Sequence, residues 1–187
     1  MDEHSTVIAG FGGQGVLFAG LVLAHAGMEA GLNVAWIPSY GPEMRGGTAN
    51  CTVILGEEDI GSPIVSYPSA AIVMNEPSLL KYGPKVQPGG VLVVNRSLAA
   101  SPFSRPDIRV VEIPASEIAT EMGTDRVANM VALGAMVGAT GVLPLQKVEE
   151  AVVQALGPDK ERFVGPNLEA LRRGADLAGG VPKEAAG

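Results

Sequence analysis

A glycine-rich stretch near the start of the chain constrains its fold more than any other feature. An apolar run enters this stretch and a longer apolar run leaves it. Its centre consists of four glycines and one amide side chain: Gly10, Gly12, Gly13, Gln14 and Gly15. The GxGxxG spacing is typical of a strand that turns sharply into a helix. Glycine permits positive φ and close backbone approach, and amides at a helix start favour anions, so we predict a phosphate-binding turn.

The identity of the phosphate-bearing ligand depends on a second feature of such folds. A dinucleotide site carries an acidic residue about 20 positions further on, at the end of the second strand, to hold the ribose. The predicted second strand, Asn33–Pro38, has no Asp or Glu, and Glu43 comes only later in a loop. We therefore rank NAD(P) or FAD below another phosphate-bearing ligand. The alternative is a tight turn without a ligand, but four glycines with Gln14 exceed what a turn needs.

The loop from Tyr40 to Gly47 is the second unusual segment. Arg45 is followed by two glycines, so its guanidinium has room to bind a phosphate or carboxylate bidentately. It can equally pair with Glu43 or with an acid of a partner protein. Tyr40 offers a hydroxyl group or a stacking face, with simple packing as the alternative. Because the loop follows the second strand, we expect it beside the glycine turn at the carboxyl edge of the sheet.

Length and composition favour a single domain with a large core. The chain has 187 residues, of which 47% are hydrophobic, and one core suffices at this size. We expect one domain over residues 1–187, with a core at about 6–156 and a C-terminal helical extension at 157–187. The 13 basic and 20 acidic residues give a net charge of −7, which argues against nucleic acid or an anionic membrane as a partner. A pI near 4.8 is compatible with a cytoplasmic location.

The sequence shows no convincing catalytic or metal-ligating constellation. Cys51, the single cysteine, lies in a predicted strand and is expected to be a small buried hydrophobe. One cysteine cannot hold an iron–sulfur cluster, and His4 and His25 are too few for a typical zinc site. The acidic N-terminus lacks the basic region of a signal peptide. We predict that the uncharged window Val127–Gln146 is a buried helix rather than a membrane span.

Strand-like and helix-like segments alternate along the chain. The predicted strands are Thr6–Gly10, Asn33–Pro38, Thr48–Leu55, Ala70–Met74, Val91–Asn95 and Arg109–Ile113. The predicted helices are Gly15–Ala30, Pro77–Tyr82, Pro114–Met122, Val127–Thr140, Leu145–Leu156 and Arg162–Leu177, the last interrupted near Gly165-Pro166. This order predicts an α/β, Rossmann-like fold with a largely parallel sheet flanked by helices in three layers. The first strand, helix and second strand are expected to form a βαβ unit with parallel pairing.

Several segments together resemble one protein family. The segments Gly10–Val16, Tyr40–Gly47 and Ser62-Pro63 resemble the gamma subunit of 2-oxoacid:ferredoxin oxidoreductases. Asn129–Gly134 is similar to a later helix of that family. The paired GGQG and YGPExRGG segments are specific, unlike an isolated GxGxxG. The resemblance covers roughly residues 8–156 and is strongest to the 2-oxoglutarate branch, although branched-chain, pyruvate and indolepyruvate relatives share much of the pattern.

The resemblance implies a subunit of an enzyme that oxidatively decarboxylates a 2-oxoacid, transfers the acyl group to coenzyme A and reduces ferredoxin. It implies alpha and beta partner subunits, and in some enzymes a ferredoxin-like delta subunit, with thiamine diphosphate, magnesium and iron–sulfur clusters on those other subunits. This chain would close over the active-site region and help hold coenzyme A through the glycine turn, with Tyr40 and Arg45 nearby. A stand-alone nucleotide or acyl-CoA binding module is the alternative, and an NAD(P) oxidoreductase ranks third. The apolar helices allow a homodimer when the chain is isolated.

Overall fold

The fold was analysed in a computed structural model, which describes residues 3–40 and 47–179, with Tyr40 described by its backbone alone. The strands are β1 (His4–Phe11), β2 (Asn33–Tyr40), β3 (Thr48–Gly56), β4 (Ala70–Val73), β5 (Val91–Asn95) and β6 (Arg109–Ile113). The helices are α1 (Val16–Glu29), α2 (Glu76–Tyr82), α3 (Ala115–Glu121), α4 (Ala128–Thr140), α5 (Leu145–Leu156) and α6 (Val164–Gly179). Short 3-10 turns at Gly83–Lys85, Asp125–Val127 and Pro158–Phe163 connect some of them.

The strands form one mixed sheet in the order β2-β3-β1-β4-β5-β6. β1, β4, β5 and β6 run parallel to their neighbours in this series. β3 lies between β1 and β2 and is antiparallel to both. The predicted direct parallel pairing of the first two strands is therefore wrong. The seven residues between β2 and β3 are too few for a parallel crossover, which needs a dozen or more.

Helices cover both faces of this sheet, because the strands carry apolar residues on both sides. Along β4, Ile72 belongs to a large core with Leu23 of α1 and Leu133 of α4. The next residue, Val73, points the other way and packs with Leu79 of α2. Such two-sided burial is typical of parallel strands with helical crossovers. The α/β class with a largely parallel sheet in three layers is thus confirmed.

The two helices α4 and α6 pack backbone against backbone. A Cβ atom added to Gly134 would come closer than 3.0 Å to the carbonyl group of Leu171, and one added to Gly174 would do the same at Val131. Glycine at these positions therefore sets how closely the two helices approach. α4 is apolar on all sides, in agreement with its position between the sheet and α6.

Local boundaries agree with the sequence prediction in most elements, and β5, β6 and α5 have the predicted bounds. Three details were wrong. The window Val127–Gln146 is not one helix, because α4 ends at Thr140 and α5 begins at Leu145. Ser39 and Tyr40 extend β2 and pair with β3 instead of opening the loop. Gly165 and Pro166 lie in the first turn of α6 and do not interrupt it, because a proline there gives up an N–H that has no helical acceptor anyway. Within residues 3–40 and 47–179, no helix has the length and apolarity needed to cross a bilayer.

Candidate phosphate-binding site

The glycine turn lies at the carboxyl end of β1, where the chain enters α1. The amide of Gly12 donates a hydrogen bond to the carbonyl of Gly47 (2.8 Å), and the amide of Gln14 donates to the carbonyl of Phe11 (3.1 Å). Gly13 and Gly15 adopt φ values of 99° and 72°, a region that side chains with a Cβ rarely occupy. Two of the four glycines are therefore required by the backbone path of the turn itself.

Several amides of this turn remain free to bind a ligand. Among the described residues, none accepts a hydrogen bond from the amides of Gly13, Gly15, Val16 or Leu17. The first turn of α1 contains no acidic residue, and its N-cap, Gly15, has no side chain to cap the helix. Unpaired amides at a helix start carry partial positive charge and attract anions. The turn is therefore suited to a phosphate group.

A cleft of about 330 Å³ is lined by all four residues that carry these amides. Its floor is the backbone of the glycine turn, and its walls carry mainly apolar side chains: Phe11, Val16, Leu17, Phe18, Thr48 and Ala49. A Cβ atom added to Gly13 would meet no atom within 4 Å, so this position faces open space. The cleft thus offers amides for an anion beside an apolar wall for a less polar part of the same ligand.

The side chain of Gln14 ties the turn to the neighbouring strand. Its Oε1 accepts hydrogen bonds from the amide of Phe11 (2.6 Å) and from Nδ2 of Asn75 (3.1 Å). Its Nε2 donates to the carbonyl of Met74 (3.3 Å). Gln14 therefore bridges the ends of β1 and β4, and its two acceptor positions are already used. Gly10 makes room for this bridge, since a Cβ there would lie 2.5 Å from Gln14 Oε1.

Asn129, in the first turn of α4, reaches the turn from the other side. Its Nδ2 donates a 2.9 Å hydrogen bond to the carbonyl of Gly15. The residue is only 4% exposed, and its Oδ1 has no hydrogen-bond partner among the described residues. A Cβ on Gly15 would lie 2.5 Å from Asn129 Nδ2. Gly15 is thus needed both for its positive φ and for the approach of Asn129.

A second cavity, of about 320 Å³, lies across Gln14 from the first. It occupies the point where α1 leaves one side of β1 and α2 leaves the other side of β4, the usual ligand position in open α/β sheets. Its rim includes Gly13, Ser116 and the acidic side chain of Asp125. Beneath it, Asn95 Nδ2 donates to Ser116 Oγ (2.9 Å) and to the carbonyl of Met74 (3.3 Å). Asp125 makes this cavity less suited to an anion than the cleft.

The predicted companion residues are described only in part. Tyr40 is the last residue of β2, and its backbone is in register with Ala49, which in turn is in register with Gly10. Its main chain therefore lies at the predicted edge of the sheet, two strands away from the turn. The predictions for the Tyr40 side chain and for Arg45 lie outside the described residues.

The buried titratable groups are inert ones. Burial raises the pKa of the Cys51 thiol to about 12, and its Sγ donates to the carbonyl of Val16 beneath α1 (3.4 Å). Burial also lowers the pKa of His4 to about 4. Cys51 is fully buried, as the sequence predicted. The described part of the chain contains no group of three or more His, Cys, Asp or Glu side chains placed to hold a metal ion.

Three asparagines of this edge were not predicted as site residues: Asn75, Asn95 and Asn129. A signal for the first two was available, since each is a polar residue at the carboxyl end of a fully apolar strand. In a parallel sheet such positions gather at one edge. The strand pattern gave no such signal for Asn129, which approaches the turn from a helix 114 positions away, although Asn129 opens one of the segments that resemble the family.

Comparison with known proteins supports this picture. Residues 5–177 match the protein family described as pyruvate ferredoxin/flavodoxin oxidoreductase. The chain is 42% identical over 178 residues to a ketoisovalerate oxidoreductase subunit VorA of Methanothermobacter thermautotrophicus, covering 94% of this chain but 36% of that protein. It is 37% identical over 177 residues to the 2-oxoglutarate synthase subunit KorC of the same organism, and this match covers 91% of this chain and 92% of that protein. The chain thus spans about a third of one relative and nearly all of the other.

Two solved structures share the fold. One is the gamma subunit of a keto/oxoacid ferredoxin oxidoreductase from Geobacter sulfurreducens, with a TM-score of 0.83, 29% identity and coverage of 95% of this chain and 97% of that one. The other is a 2-oxoglutarate:ferredoxin oxidoreductase from Magnetococcus marinus with 2-oxoglutarate, coenzyme A and succinyl-CoA bound. It has a TM-score of 0.88 and 26% identity, and the match covers 98% of this chain and 32% of that one.

Fold and site together define a Rossmann-like domain whose glycine turn is suited to an anion and whose second strand, β2, contains no acidic residue. The match over residues 5–177 then identifies its family. The chain belongs to the pyruvate ferredoxin/flavodoxin oxidoreductase family. The resemblance noted in the sequence, to gamma subunits of 2-oxoacid:ferredoxin oxidoreductases, is confirmed by these relatives.

Proposed function

We propose that this chain serves as the gamma subunit of a 2-oxoacid:ferredoxin oxidoreductase and helps bind coenzyme A at the glycine turn. The observation that carries this proposal is the row of amides at Gly13, Gly15, Val16 and Leu17, which have no acceptor among the described residues and belong to residues that line a cleft of about 330 Å³. The Magnetococcus marinus relative contains coenzyme A, a ligand that has several phosphate groups and a long, less polar arm. The amides of the turn suit the phosphate groups, and the apolar wall of the cleft suits the less polar arm.

The residues of this chain would bind and orient the ligand. The free amides of the turn would hold a phosphate, while Phe11, Leu17 and Phe18 would contact the neighbouring apolar part. When bound, coenzyme A supplies the thiol that accepts the acyl group. The chain would close over the active-site region of its partners and restrict the access of water to it. Tyr40 and Arg45 would assist from the loop that follows β2.

The proposed partners are the alpha and beta subunits of the same enzyme, together with a ferredoxin-like delta subunit in assemblies that have one. Those partners would carry thiamine diphosphate, magnesium and the iron–sulfur clusters. We take 2-oxoglutarate as the first choice of substrate, because the chain covers 92% of the KorC subunit. The identity of 42% to the VorA subunit makes a branched-chain 2-oxoacid the direct competitor. The expected location is the cytoplasm.

Co-purification from the native source tests the subunit assignment. The chain is expected to elute with companion proteins that bind thiamine diphosphate and carry iron–sulfur clusters, as identified by mass spectrometry and metal analysis. The purified assembly should reduce an electron acceptor in the presence of coenzyme A and either 2-oxoglutarate or 2-ketoisovalerate, and the preferred acid assigns the branch. Elution of the chain alone would contradict the proposal.

The role of the glycine turn is tested by Gly13→Ala in the assembled enzyme, with Gly31→Ala as the matched control. Both glycines have positive φ, 99° and 79°, and both have open space around an added Cβ, so both changes impose a similar backbone cost of about 1 kcal/mol. Gly31 lies at the far end of α1, about 20 Å from the turn. We expect Gly13→Ala to raise the half-saturating concentration of coenzyme A about tenfold or more, and Gly31→Ala to leave it unchanged. Equal values for the two variants would contradict the site.

A stand-alone nucleotide or acyl-CoA binding module is the second candidate, because the cleft is built by this chain without a partner. Calorimetry on the isolated chain separates the two candidates. Tight binding of coenzyme A or of a nucleotide without partners would favour the module. Weak binding alone, together with a coenzyme A requirement in the assembly, would favour the subunit.

A further inference from the structure

The structure assigns Asn129 a positioning role in the glycine turn, in which it directs the free amide of Val16 into the cleft. This inference rests on the proposed function, because its consequence is measured through coenzyme A. It concerns a residue outside the turn, on α4, that contacts the turn through a single side-chain hydrogen bond.

The first step is the geometry of one peptide unit. The carbonyl of Gly15 and the amide of Val16 belong to the same peptide group, which is planar and trans, as no described peptide bond is cis. In a trans peptide the C=O and N–H bonds point in opposite directions. The Gly15 carbonyl accepts two hydrogen bonds, one from the amide of Ala19 within α1 (3.0 Å) and one from Asn129 Nδ2 (2.9 Å). Asn129 therefore adds a second restraint on this peptide unit, from outside α1, and so helps to hold the Val16 amide on the opposite side. Val16 lines the cleft.

The second step is the choice of residue at position 129. Asn129 is 4% exposed, and its Oδ1 accepts no hydrogen bond from the described residues. An unpaired oxygen in such a place lowers stability, and an apolar side chain of similar size would avoid that loss. Its neighbours on α4, Met130 and Val131, are apolar and fully buried. The single hydrogen bond from Asn129 to the Gly15 carbonyl therefore explains why this buried position carries an amide side chain.

The third step is that the turn gains an external support at this point, in addition to the first hydrogen bond of α1, from the amide of Ala19 to the carbonyl of Gly15. Gly15 has no side chain to cap α1 and no intrinsic preference for its φ of 72°. Gln14 already fixes the β1 side of the turn through Phe11, Met74 and Asn75. Asn129 supplies the corresponding support on the α1 side. With both in place, the amides of the turn are oriented before a ligand arrives, which lowers the entropic cost of binding.

The test uses Asn129→Ala in the assembled enzyme, with Asn167→Ala as the matched control. Asn167 is also buried, and its Nδ2 also donates to a backbone carbonyl, that of Phe163 (2.7 Å), but it lies on α6. We expect Asn129→Ala to raise the half-saturating coenzyme A concentration about fivefold, the equivalent of one net hydrogen bond. The maximal rate and the half-saturating 2-oxoacid concentration should stay within twofold. Asn167→Ala should leave all three values unchanged.

A second variant, Asn129→Asp, fills the same space but cannot donate to the Gly15 carbonyl when ionised. It is expected to raise the half-saturating coenzyme A concentration at least as much as the alanine variant, because its charge also repels phosphate. An unchanged coenzyme A dependence in both variants would overturn the proposal. So would failure of both variants to assemble while Asn167→Ala assembles, since the bond would then serve folding alone.

Gly13→Ala serves as the reference for the site itself. If this variant leaves the coenzyme A dependence unchanged, the proposed function fails and the role of Asn129 with it. If Gly13→Ala raises the half-saturating concentration and both Asn129 variants do not, the coenzyme A site stands and only the positioning role is wrong.

Discussion

The packing of α4 against α6 gives the sharpest test of the fold, through the substitution Gly134→Ala. An added Cβ would lie 2.8 Å from the carbonyl carbon of Leu171 and closer still to its oxygen, whereas ordinary contact begins at 3.4 Å. The obstacle is the backbone of a buried helix, which no rotamer change can move aside. The helices must therefore separate by more than half an ångström along a fully buried contact.

The magnitude follows from two opposing terms. Overpacking of a core costs about 1–3 kcal/mol even where side chains can adjust, and the rigid backbone here places the cost at the top of that range or above it. Replacing glycine by alanine within a helix returns up to about 1 kcal/mol of helix propensity. We therefore expect Gly134→Ala to lower the free energy of unfolding by about 2–4 kcal/mol. The melting temperature should fall by about 5–15 °C.

The assay is urea unfolding followed by circular dichroism, with Gly165→Ala as the control. Gly165 also lies in a helix, α6, but an added Cβ there meets no atom within 4 Å. The control should change the free energy of unfolding by no more than about 1 kcal/mol, because the gain in helix propensity is opposed by the crowding of a Cβ against the ring of Pro166. A Gly134→Ala variant as stable as the unmodified chain, with an unchanged denaturant slope, would refute the close packing of these helices.

Three further predictions concern individual side chains. Cys51, with its pKa raised by burial to about 12, should not react with a thiol reagent at pH 8 until urea unfolds the chain, and reaction in native buffer would contradict its burial. Burial lowers the pKa of His4 from 6.5 to about 4. As the pH drops, His4 therefore binds a proton in the unfolded chain before it does so in the folded one. The free energy of unfolding should fall by at most about 3 kcal/mol between pH 6.5 and pH 4. A His4→Gln variant should lose this pH dependence in acid titrations of unfolding. Gln14→Glu keeps the acceptor for the amide of Phe11 but places a negative charge where Nε2 donates to the carbonyl of Met74. We therefore expect Gln14→Glu to weaken coenzyme A binding more than Gln14→Ala does. The reverse order would contradict the bridging role of Gln14.

The site differs from a dinucleotide site in a way that the sheet explains. In a simple βαβ unit the second strand lies next to the first, and its end can present an acid to the ribose. Here β3 separates β1 from β2, so the end of β2 lies two strands away from the glycine turn. The cleft is instead bordered by Thr48 and Ala49 of β3. The lack of an acidic residue within β2 and the insertion of β3 are thus consistent with each other.

The sequence by itself determined the elements and the turn. Local chemistry decides these features: glycine spacing marks a strand-to-helix turn, and apolar runs bounded by Gly and Pro mark buried strands. For this reason β5, β6 and α5 have the predicted bounds, and Cys51 is buried as predicted. The family resemblance also rested on short local motifs, and the match over residues 5–177 confirmed it.

Only the tertiary structure decided which elements meet. The short connection makes β3 antiparallel to β2, but the insertion of β3 beside β1 depends on hydrogen bonds between segments that are distant in the sequence. The partners of Gln14 lie 60 and 61 positions away, and Asn129 reaches Gly15 across 114 positions. No local pattern encodes such distances, because they result from the order in which the whole sheet and its helices pack. The sequence thus located the glycine turn, and the folded chain supplied the residues that hold it in place.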